Sequence, residues 1–398
     1  MRPWQRKILF SSFLFLFLIF GPLLIFYSLG YRFNFEKKKI TKTGGIFVKA
    51  LPKEVEVSID GKIKKKTDPF FGSVLIENLL PKKYKVKVEK EGYFPWEKEL
   101  EVEEEKVTEI KNLVLFPKDL NFSQILSGID QFWISPNGKE LILKESENEK
   151  WVLKSYHLEK KIKSYLVGEN DFPKGAEFLK LNFGEDQIEI AVKIKDETRD
   201  FVLNLKKSPQ LKEKELEKIP ENAICFKKIG GDFYFFDKSG YLFKGEERLN
   251  EEPLNLTENC QLEIFDSLIF LESKGNLYLL KEGKFEKIFE NVRGIIISPD
   301  SKKIAIFSDY EIWIFENGKI EFLNRFSEKI EKLYWFNENY LIFLSGGRIK
   351  ISEIDKRDKI NVYELTEIGK EDFSFNQQNK RIYLKKGDSI FESDPLLR

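Results

Sequence analysis

The chain has 398 residues, of which 67 are Lys or Arg and 66 are Asp or Glu, so its formal net charge is +1. This balance argues against a general binder of polyanions, and we expect no nucleic-acid partner. The single histidine excludes a two-histidine metal site, and the length leaves room for two folded domains.

Residues 8–29 carry no charged side chain. As a helix they would span roughly 33 Å, which matches a hydrocarbon core of about 30 Å. Trp4, Tyr27 and Tyr31 lie near the two ends, where aromatic side chains favour the headgroup layer. We therefore predict a short basic N-terminal segment over 1–7, followed by a single-pass transmembrane helix over 8–29.

A cleaved signal peptide is the alternative, since Ser28 and Gly30 precede Tyr31 as a small-residue pair. The apolar run is longer than the 7–15 residues usual for a signal peptide, which favours an uncleaved anchor. Basic residues flank the run on both sides, so their count hardly fixes the orientation. We expect the bulk of the chain to be extracytoplasmic, with a cytoplasmic orientation left open.

After a charged linker over 30–42, residues 43–117 alternate between apolar and polar side chains. The pattern has period two, as in half-buried strands, and its apolar positions include Val55, Val57 and Ile59. Asp60-Gly61 follows at once and predicts a tight hairpin turn. We predict a small antiparallel β-sandwich here.

Four phrases of this module resemble the landmarks of a PEGA domain, in the same order. They are Leu51 to Gly61, Thr67-Asp68-Pro69, Leu80 to Tyr84 and Glu91-Gly92-Tyr93. Lys53-Glu54-Val55 departs from the family pattern, which has a small Gly-Ala pair there. The resemblance implies a small β-sandwich of the kind often found on extracytoplasmic, envelope-associated proteins, and it implies no catalytic residues.

Residues 118–398 repeat a strand–turn–strand phrase. The clearest copies are Ile134 to Lys139 and Ile297 to Lys302, in which a Ser-Pro-led turn separates two apolar runs. Weaker copies give a spacing of about 40 residues, the period of a four-stranded propeller blade. They lie at Leu181 to Ala191, Ile229 to Phe236, Phe265 to Leu271, Trp335 to Phe343 and Phe375 to Leu384.

The predicted fold class is therefore all-β: a PEGA-like β-sandwich, then a β-propeller of about seven blades, preceded by one transmembrane helix. We expect residues 121–126 to complete the last blade. The Ser-Pro phrases resemble those of Tol-type and WD-like propellers, and an array of stacked sandwiches is the alternative. The charged stretch 208–218 is expected to be a loop between blades.

No catalytic, cofactor-binding or metal-ligating residue is predicted. His157 is expected to be an exposed strand residue, and the acidic run Glu101 to Glu105 a solvated strand edge rather than a calcium site. Cys225 and Cys260 can form a disulfide in an oxidising compartment, but we favour buried free thiols. The tryptophans at positions 133, 151, 313 and 335 are expected in the blade cores, with a recognition face as the alternative.

These observations favour a non-catalytic, membrane-tethered binding or scaffold protein of the cell envelope. The propeller would present its loops to a protein or a cell-wall glycan. Two alternatives stay open: a propeller-based envelope hydrolase, and the same scaffold facing the cytoplasm. A propeller can host hydrolases, but fold alone does not imply function.

Overall fold

The computed structural model describes residues 3–35, 38–184, 187–204, 210–214, 220–229, 231–256, 260–265 and 267–397. Contacts divide the chain into two compact units. The first unit contains residues 1–120, 351–365 and 395–398, and the second contains residues 121–350 and 366–394.

Helix α1 (Pro3–Ser28) contains the predicted transmembrane segment except for its last residue, Leu29. It begins at Pro3, so most of the expected N-terminal segment is helical, in keeping with the preference of proline for the first helical position. Pro22 lies inside the helix, as membrane helices tolerate. Among the described residues, one helix is long and apolar enough to cross a membrane, and none of its apolar stretch over Trp4–Ser28 is buried.

The expected charged linker forms an antiparallel β-hairpin. Strands β1 (Tyr31–Asn34) and β2 (Lys39–Lys42) pair with Phe33 opposite Ile40. Residues 36 and 37 lie outside the described residues. Because its side chains are mixed, the sequence pattern did not reveal this hairpin.

The module after the hairpin is a sandwich of a three-stranded and a four-stranded sheet, with the orders β6-β3-β9 and β5-β4-β7-β8. The strands are β3 (Gly44–Leu51), β4 (Glu56–Ile59), β5 (Ile63–Lys66), β6 (Ser73–Leu79), β7 (Lys83–Glu89), β8 (Trp96–Glu101) and β9 (Val107–Val114). Asp60 and Gly61 both have positive φ, as the predicted tight turn requires.

The expectation of a wholly antiparallel sandwich is wrong, because β3 and β9 are parallel. Alternation marks a strand and its buried face, but it does not specify the direction of the partner strand. The alternating apolar residues do form the core between the two sheets, where Val48, Val57 and Val86 are fully buried.

Residues 122–393 form seven four-stranded sheets within the described part of the chain. The first three contain β11 (Gln131–Ile134), β12 (Glu140–Glu147), β13 (Lys150–His157) and β14 (Ile162–Gly168); β15 (Ala176–Phe183), β16 (Gln187–Ile194), β17 (Glu197–Asn204) and β18 (Gln210–Glu213); and β19 (Ala223–Ile229), β20 (Asp232–Asp237), β21 (Leu242–Lys244) and β22 (Glu247–Arg248). A 3-10 helix over Glu169–Asp171 joins the first of these sheets to the second.

The remaining four sheets follow the same plan. They contain β23 (Cys260–Phe265), β24 (Leu268–Ser273), β25 (Asn276–Lys281) and β26 (Lys284–Glu290); β27 (Gly294–Ile297), β28 (Lys303–Phe307), β29 (Glu311–Glu316) and β30 (Lys319–Arg325); β31 (Ile330–Asn337), β32 (Tyr340–Ser345), β33 (Arg348–Glu353) and β34 (Val362–Glu367); and β35 (Asp372–Asn376), β36 (Arg381–Lys386) and β37 (Ser389–Ser393) with β10 (Phe122–Leu126).

Successive four-stranded antiparallel meanders are the architecture of a β-propeller. The last sheet is completed by β10, which pairs with β37 as predicted for residues 121–126. The first strand of the region thus joins the last three in one sheet. This pairing covers a strand edge that would otherwise be open.

The repeated phrases form the turns between the first and second strands of their sheets. The Ser135 hydroxyl accepts a hydrogen bond from the Glu140 amide at 3.0 Å and donates one to Asn137 Oδ1 at 2.8 Å. The Ser298 hydroxyl makes the equivalent bonds with the Lys303 amide at 2.9 Å and Asp300 Oδ1 at 2.7 Å. The phrase is thus a hydrogen-bonded turn, and the strand–turn–strand prediction is confirmed for both copies.

The loop expected over 208–218 is wrong where the structure describes it. Residues 210–213 form β18, the outer strand of its sheet, which pairs with β17. Three of its four side chains are exposed, so an edge strand here does not need an apolar face. Residues 208–209 and 215–218 lie outside the described residues.

Candidate functional site

A cavity of about 420 Å³ opens in the second unit. Its walls come from the first strands of four sheets, β11, β15, β31 and β35, and from the turns that follow β11 and β35. Its volume lies in the range of pockets that hold small molecules or single side chains of a partner.

Aromatic side chains form one part of the cavity wall. Trp133 is half-buried, and its indole packs on the Phe178 ring at 5.8 Å between centroids. Tyr334 packs edge-on against Phe373 at 5.4 Å, and burial raises the pKa of its hydroxyl. The Tyr334 hydroxyl is therefore a neutral hydrogen-bonding group at physiological pH. Rings of this kind offer flat apolar contact beside a polar tip.

The polar part of the wall is close to neutral overall. The acidic and the basic side chain among the lining residues, Asp372 and Lys332, form an ion pair with each other. Lys332 also donates to the Phe373 carbonyl at 3.3 Å. Both charges are partly solvated, so the pair contributes little to stability, and its main effect is to cancel charge at the mouth of the cavity.

Gly138 and Asn376 fix the approach of two turns at the cavity. The buried Asn376 amide donates to the Gly138 carbonyl at 2.7 Å, and its oxygen accepts from the Gln378 amide at 3.0 Å. Gly138 has φ of +68°, and a Cβ there would lie 2.6 Å from the Gln378 side chain. A glycine is therefore required both by the backbone conformation and by the close contact.

The four tryptophans divide into two pairs. Trp151 and Trp335 are buried, and their indoles donate to the Ala176 and Ile296 carbonyls at 2.8 and 3.0 Å. Trp133 and Trp313 are half-buried. Only Trp133 of the four lines the cavity, so it combines core packing with a surface that a ligand can reach.

His157 ends β13 and is half-buried rather than exposed. Its Nδ1 accepts a hydrogen bond from the Lys160 amide at 3.3 Å, which closes the turn after the strand. The acidic run lies beside lysines: Glu103 pairs with Lys106, and Glu105 pairs with Lys42. Within the described residues, no group of three or more His, Cys, Asp or Glu side chains could hold a metal ion.

The favoured interpretation of the cysteines as free thiols is wrong. Cys225 and Cys260 form a disulfide between β19 and β23, with 5.5 Å between their Cα atoms. Sequence alone does not show that two positions separated by 35 residues face each other. The repeat spacing places both cysteines near the start of neighbouring sheets. This spacing was the one feature of the sequence that indicated a disulfide between them.

The sequence did not identify the cavity. Its lining residues Trp133, Tyr334 and Asn376 lie in three separate copies of the repeat. Each copy resembles an ordinary strand end when taken alone. Their convergence appears only when strands from the two ends of the repeat region, β11 near its start and β31 and β35 near its end, are placed side by side.

Residues 43–115 match the PEGA domain family, which confirms the resemblance over that module. No curated protein matches the sequence. Among solved structures, YCF48 from Cyanidioschyzon merolae is similar at 11% identity and a TM-score of 0.43, covering 69% of this chain and 98% of its own.

Two further solved structures show a comparable similarity. Virginiamycin B lyase from Staphylococcus aureus has 13% identity and a TM-score of 0.43, with 69% of this chain and 99% of the lyase covered. PorZ of Porphyromonas gingivalis has 13% identity and a TM-score of 0.41, with 70% of this chain and 38% of PorZ covered. The assignment of the fold rests on the sheet order of this chain itself.

Proposed function

We propose that this chain is a membrane-tethered, extracytoplasmic protein of the cell envelope, whose propeller binds a protein or glycan partner without catalysing a reaction. Helix α1 would be the anchor and the PEGA module would connect it to the propeller. The Tol-type or WD-like character of the propeller, suggested by the Ser-Pro phrases, belongs to the same proposal.

The observation that carries the binding role is the cavity. It combines half-buried aromatic rings, such as Trp133, with uncharged polar groups such as Ser374 and Gln377. Its acidic side chain, Asp372, is already paired with Lys332. Flat apolar contact beside neutral hydrogen-bonding groups suits a polar chain or a sugar ring better than it suits proton transfer.

The disulfide supports an extracytoplasmic location. Structural disulfides persist in oxidising compartments and are rare where thiol reductants are abundant. Cys225 and Cys260 both lie in the second unit, so the propeller would have to reach such a compartment to hold this bridge. The family match of residues 43–115 is compatible with this location, since PEGA domains are often extracellular.

The experiment fills the cavity and compares the result with a matched surface change. Ser374→Trp places an indole in the cavity, whereas Ser164→Trp places one on an exposed position of β14. A photo-crosslinking side chain at the exposed Gln378, on the cavity lining, is paired with one at the exposed Glu159, which does not line it. Crosslinking is measured in membranes, and retention is measured on purified cell-wall glycan.

A protein partner should crosslink at position 378 and not at 159, and Ser374→Trp should abolish that product. If the partner is a glycan, purified cell-wall glycan should retain the wild-type chain and the Ser164→Trp variant. The Ser374→Trp variant should lose most of this binding. Equal behaviour of the two tryptophan variants, both folded by thermal melting, in both assays would overturn the proposed role of the cavity.

A further inference from the structure

The hairpin formed by β1 and β2 has an exposed apolar face. Phe33 and Ile40 are directly opposite each other, so their side chains project from the same side. Phe35 lies two residues beyond Phe33, and the two rings contact edge-on at 5.0 Å. Phe33 is 49% exposed, Ile40 is 67% exposed and Phe35 is 81% exposed.

The hairpin that bears this face is held against the end of helix α1. The hairpin begins at Tyr31, three residues after the helix ends at Ser28, and the Tyr31 ring packs edge-on against Phe26 at 5.4 Å. The Thr43 amide and hydroxyl both donate to the Gly30 carbonyl at 2.9 Å. The Gly30 amide in turn donates to the Tyr27 carbonyl of the helix at 3.2 Å, so the open end of the hairpin is bonded to the last turn of the helix.

Arg32 adds a second connection between the hairpin and the helix. Its guanidinium donates to the Tyr27 carbonyl at 2.6 Å and lies 3.4 Å from the centroid of the Tyr27 ring. It also donates to the Asn78 side chain at 2.9 Å, at the end of β6. One side chain therefore bridges the last turn of the helix and the PEGA module.

We infer that the face formed by Phe33, Phe35 and Ile40 lies in the interfacial layer of the bilayer that α1 spans. The inference rests on the anchoring part of the proposed function. A helix that spans the hydrocarbon core ends at the headgroup layer, which places a hairpin fixed to that end at the same depth. Aromatic side chains favour this layer, and a cluster of exposed rings is unfavourable in water.

The charges around the face fit the same occupant. Lys38 and Lys39 are exposed beside it, and Lys39 also forms a solvated ion pair with Glu104 at 3.6 Å. Long basic side chains reach lipid phosphates while their stems cover apolar surface. The occupant is continuous with a surface already in place, since the bilayer around α1 extends to the hairpin. The hairpin then limits tilting of the PEGA module relative to the membrane surface.

The test measures the depth of single labels in vesicles of neutral and anionic lipid. Phe35→Cys is compared with Phe70→Cys, because Phe70 is 80% exposed, nearly the same as Phe35. Phe70 lies in the same loop as Gly72, whose carbonyl accepts a hydrogen bond from the Ala50 amide. Ala50 lies near the end of β3, and the hairpin precedes the start of β3. The Asp68 carboxylate fixes this loop by accepting from the Phe70 and Phe71 amides at 2.9 and 2.6 Å.

Each variant carries an environment-sensitive fluorophore, with the native cysteines left in their disulfide. A third variant, Leu18→Cys, reports the middle of α1. We expect shallow lipid-bound nitroxide to quench the label at position 35. Aqueous iodide should quench this label several-fold less than it quenches the label at position 70. The label at position 70 should show the opposite pattern.

The outcomes separate this inference from the anchor itself. A lipid-buried label at position 18 with a water-exposed label at position 35 would overturn the inference and leave the anchor intact. A label at 35 that is shielded from both quenchers would also overturn it, since a protein surface or a second copy would then cover the face. A label at position 18 that iodide reaches would overturn the anchor.

Discussion

Lys98 is a lysine whose side chain is completely buried in the first unit, and its partner Glu353 is 3% exposed. Lys98 Nζ lies 2.9 Å from Glu353 Oε1. Glu353 also accepts from the Trp96 indole and the Asn361 amide, both at 2.8 Å. The two buried groups carry opposite charges, and Glu353 accepts further hydrogen bonds. The protein interior can therefore tolerate this ion pair despite its low dielectric constant.

We predict that Lys98→Met destabilises the first unit by about 3–5 kcal/mol, because Glu353 is left buried without a counter-charge. Adding Glu353→Gln should recover part of the loss, since glutamine keeps an acceptor for Trp96 and removes the charge. Urea denaturation of the purified variants measures both effects. The matched control is Lys64→Met, because Lys64 makes a solvated ion pair with Glu56, and its loss should leave the free energy of unfolding almost unchanged. Equal effects of the two methionine variants would contradict the prediction.

At this scale the sequence has little power to distinguish one lysine from another. Lysine and glutamate are interspersed along the strands, which predicts solvated faces, and Lys64 follows that expectation. Lys98 does not, because its partner is supplied by residues 351–365, far along the chain but in the same compact unit. Period-two alternation describes one strand and contains no information about what covers it.

At the scale of elements, the disulfide joins the smallest of the seven sheets to its neighbour. Strands β21 and β22 contain three and two residues, so this sheet has few outer hydrogen bonds. The bridge runs from β19, the first strand of that sheet, to β23, the first strand of the next. It therefore restrains a part of the propeller that the backbone ladder supports least.

We predict that replacing both cysteines by serine lowers the free energy of unfolding by about 2–4 kcal/mol. The bridge closes a loop with a sequence separation of 35 residues, for which the chain-entropy estimate is about 4 kcal/mol. Thermal and urea unfolding, with and without reductant, measure the difference. Reductant should destabilise the wild-type chain and leave the Cys225→Ser/Cys260→Ser variant unchanged. A wild-type protein insensitive to reductant would show that the bridge is not formed or does not contribute.

Elements with a local signal were predictable, and elements that depend on distant partners were not. The turn at Ser135 and its copy at Ser298 are specified within six residues, so their phrases predicted them. The parallel pairing of β3 with β9 and the convergence of β11, β31 and β35 on the cavity depend on positions far apart in the chain. The repeat pattern indicated the strands around the cavity. It could not predict the cavity itself, because it does not show which strands lie side by side.

At the scale of the whole molecule, the proposed anchor and the disulfide together bear on the topology of the chain. Helix α1 is long and apolar enough to cross a membrane, as the proposed anchor would, and a bridge between Cys225 and Cys260 persists in an oxidising environment. A single span with its C-terminal side outside the cytoplasm satisfies both. The basic residues on either side of the helix do not decide between orientations, since long domains cross largely regardless of such charges.

We therefore predict that protease added to spheroplasts removes a C-terminal tag while α1 stays in the membrane after alkaline washing. In the same spheroplasts an impermeant maleimide should label Cys225 and Cys260 only after reduction, because the thiols are joined before that. Lysed cells serve as the control for the intrinsic sensitivity of the tag. A tag protected until lysis, together with thiols that the maleimide labels without reductant only after lysis, would place the propeller in the cytoplasm. Release into the medium with a new N-terminus near Tyr31 would instead identify the helix as a cleaved signal. The two readouts are independent because one reports which side of the membrane the chain occupies and the other reports the redox state it met there.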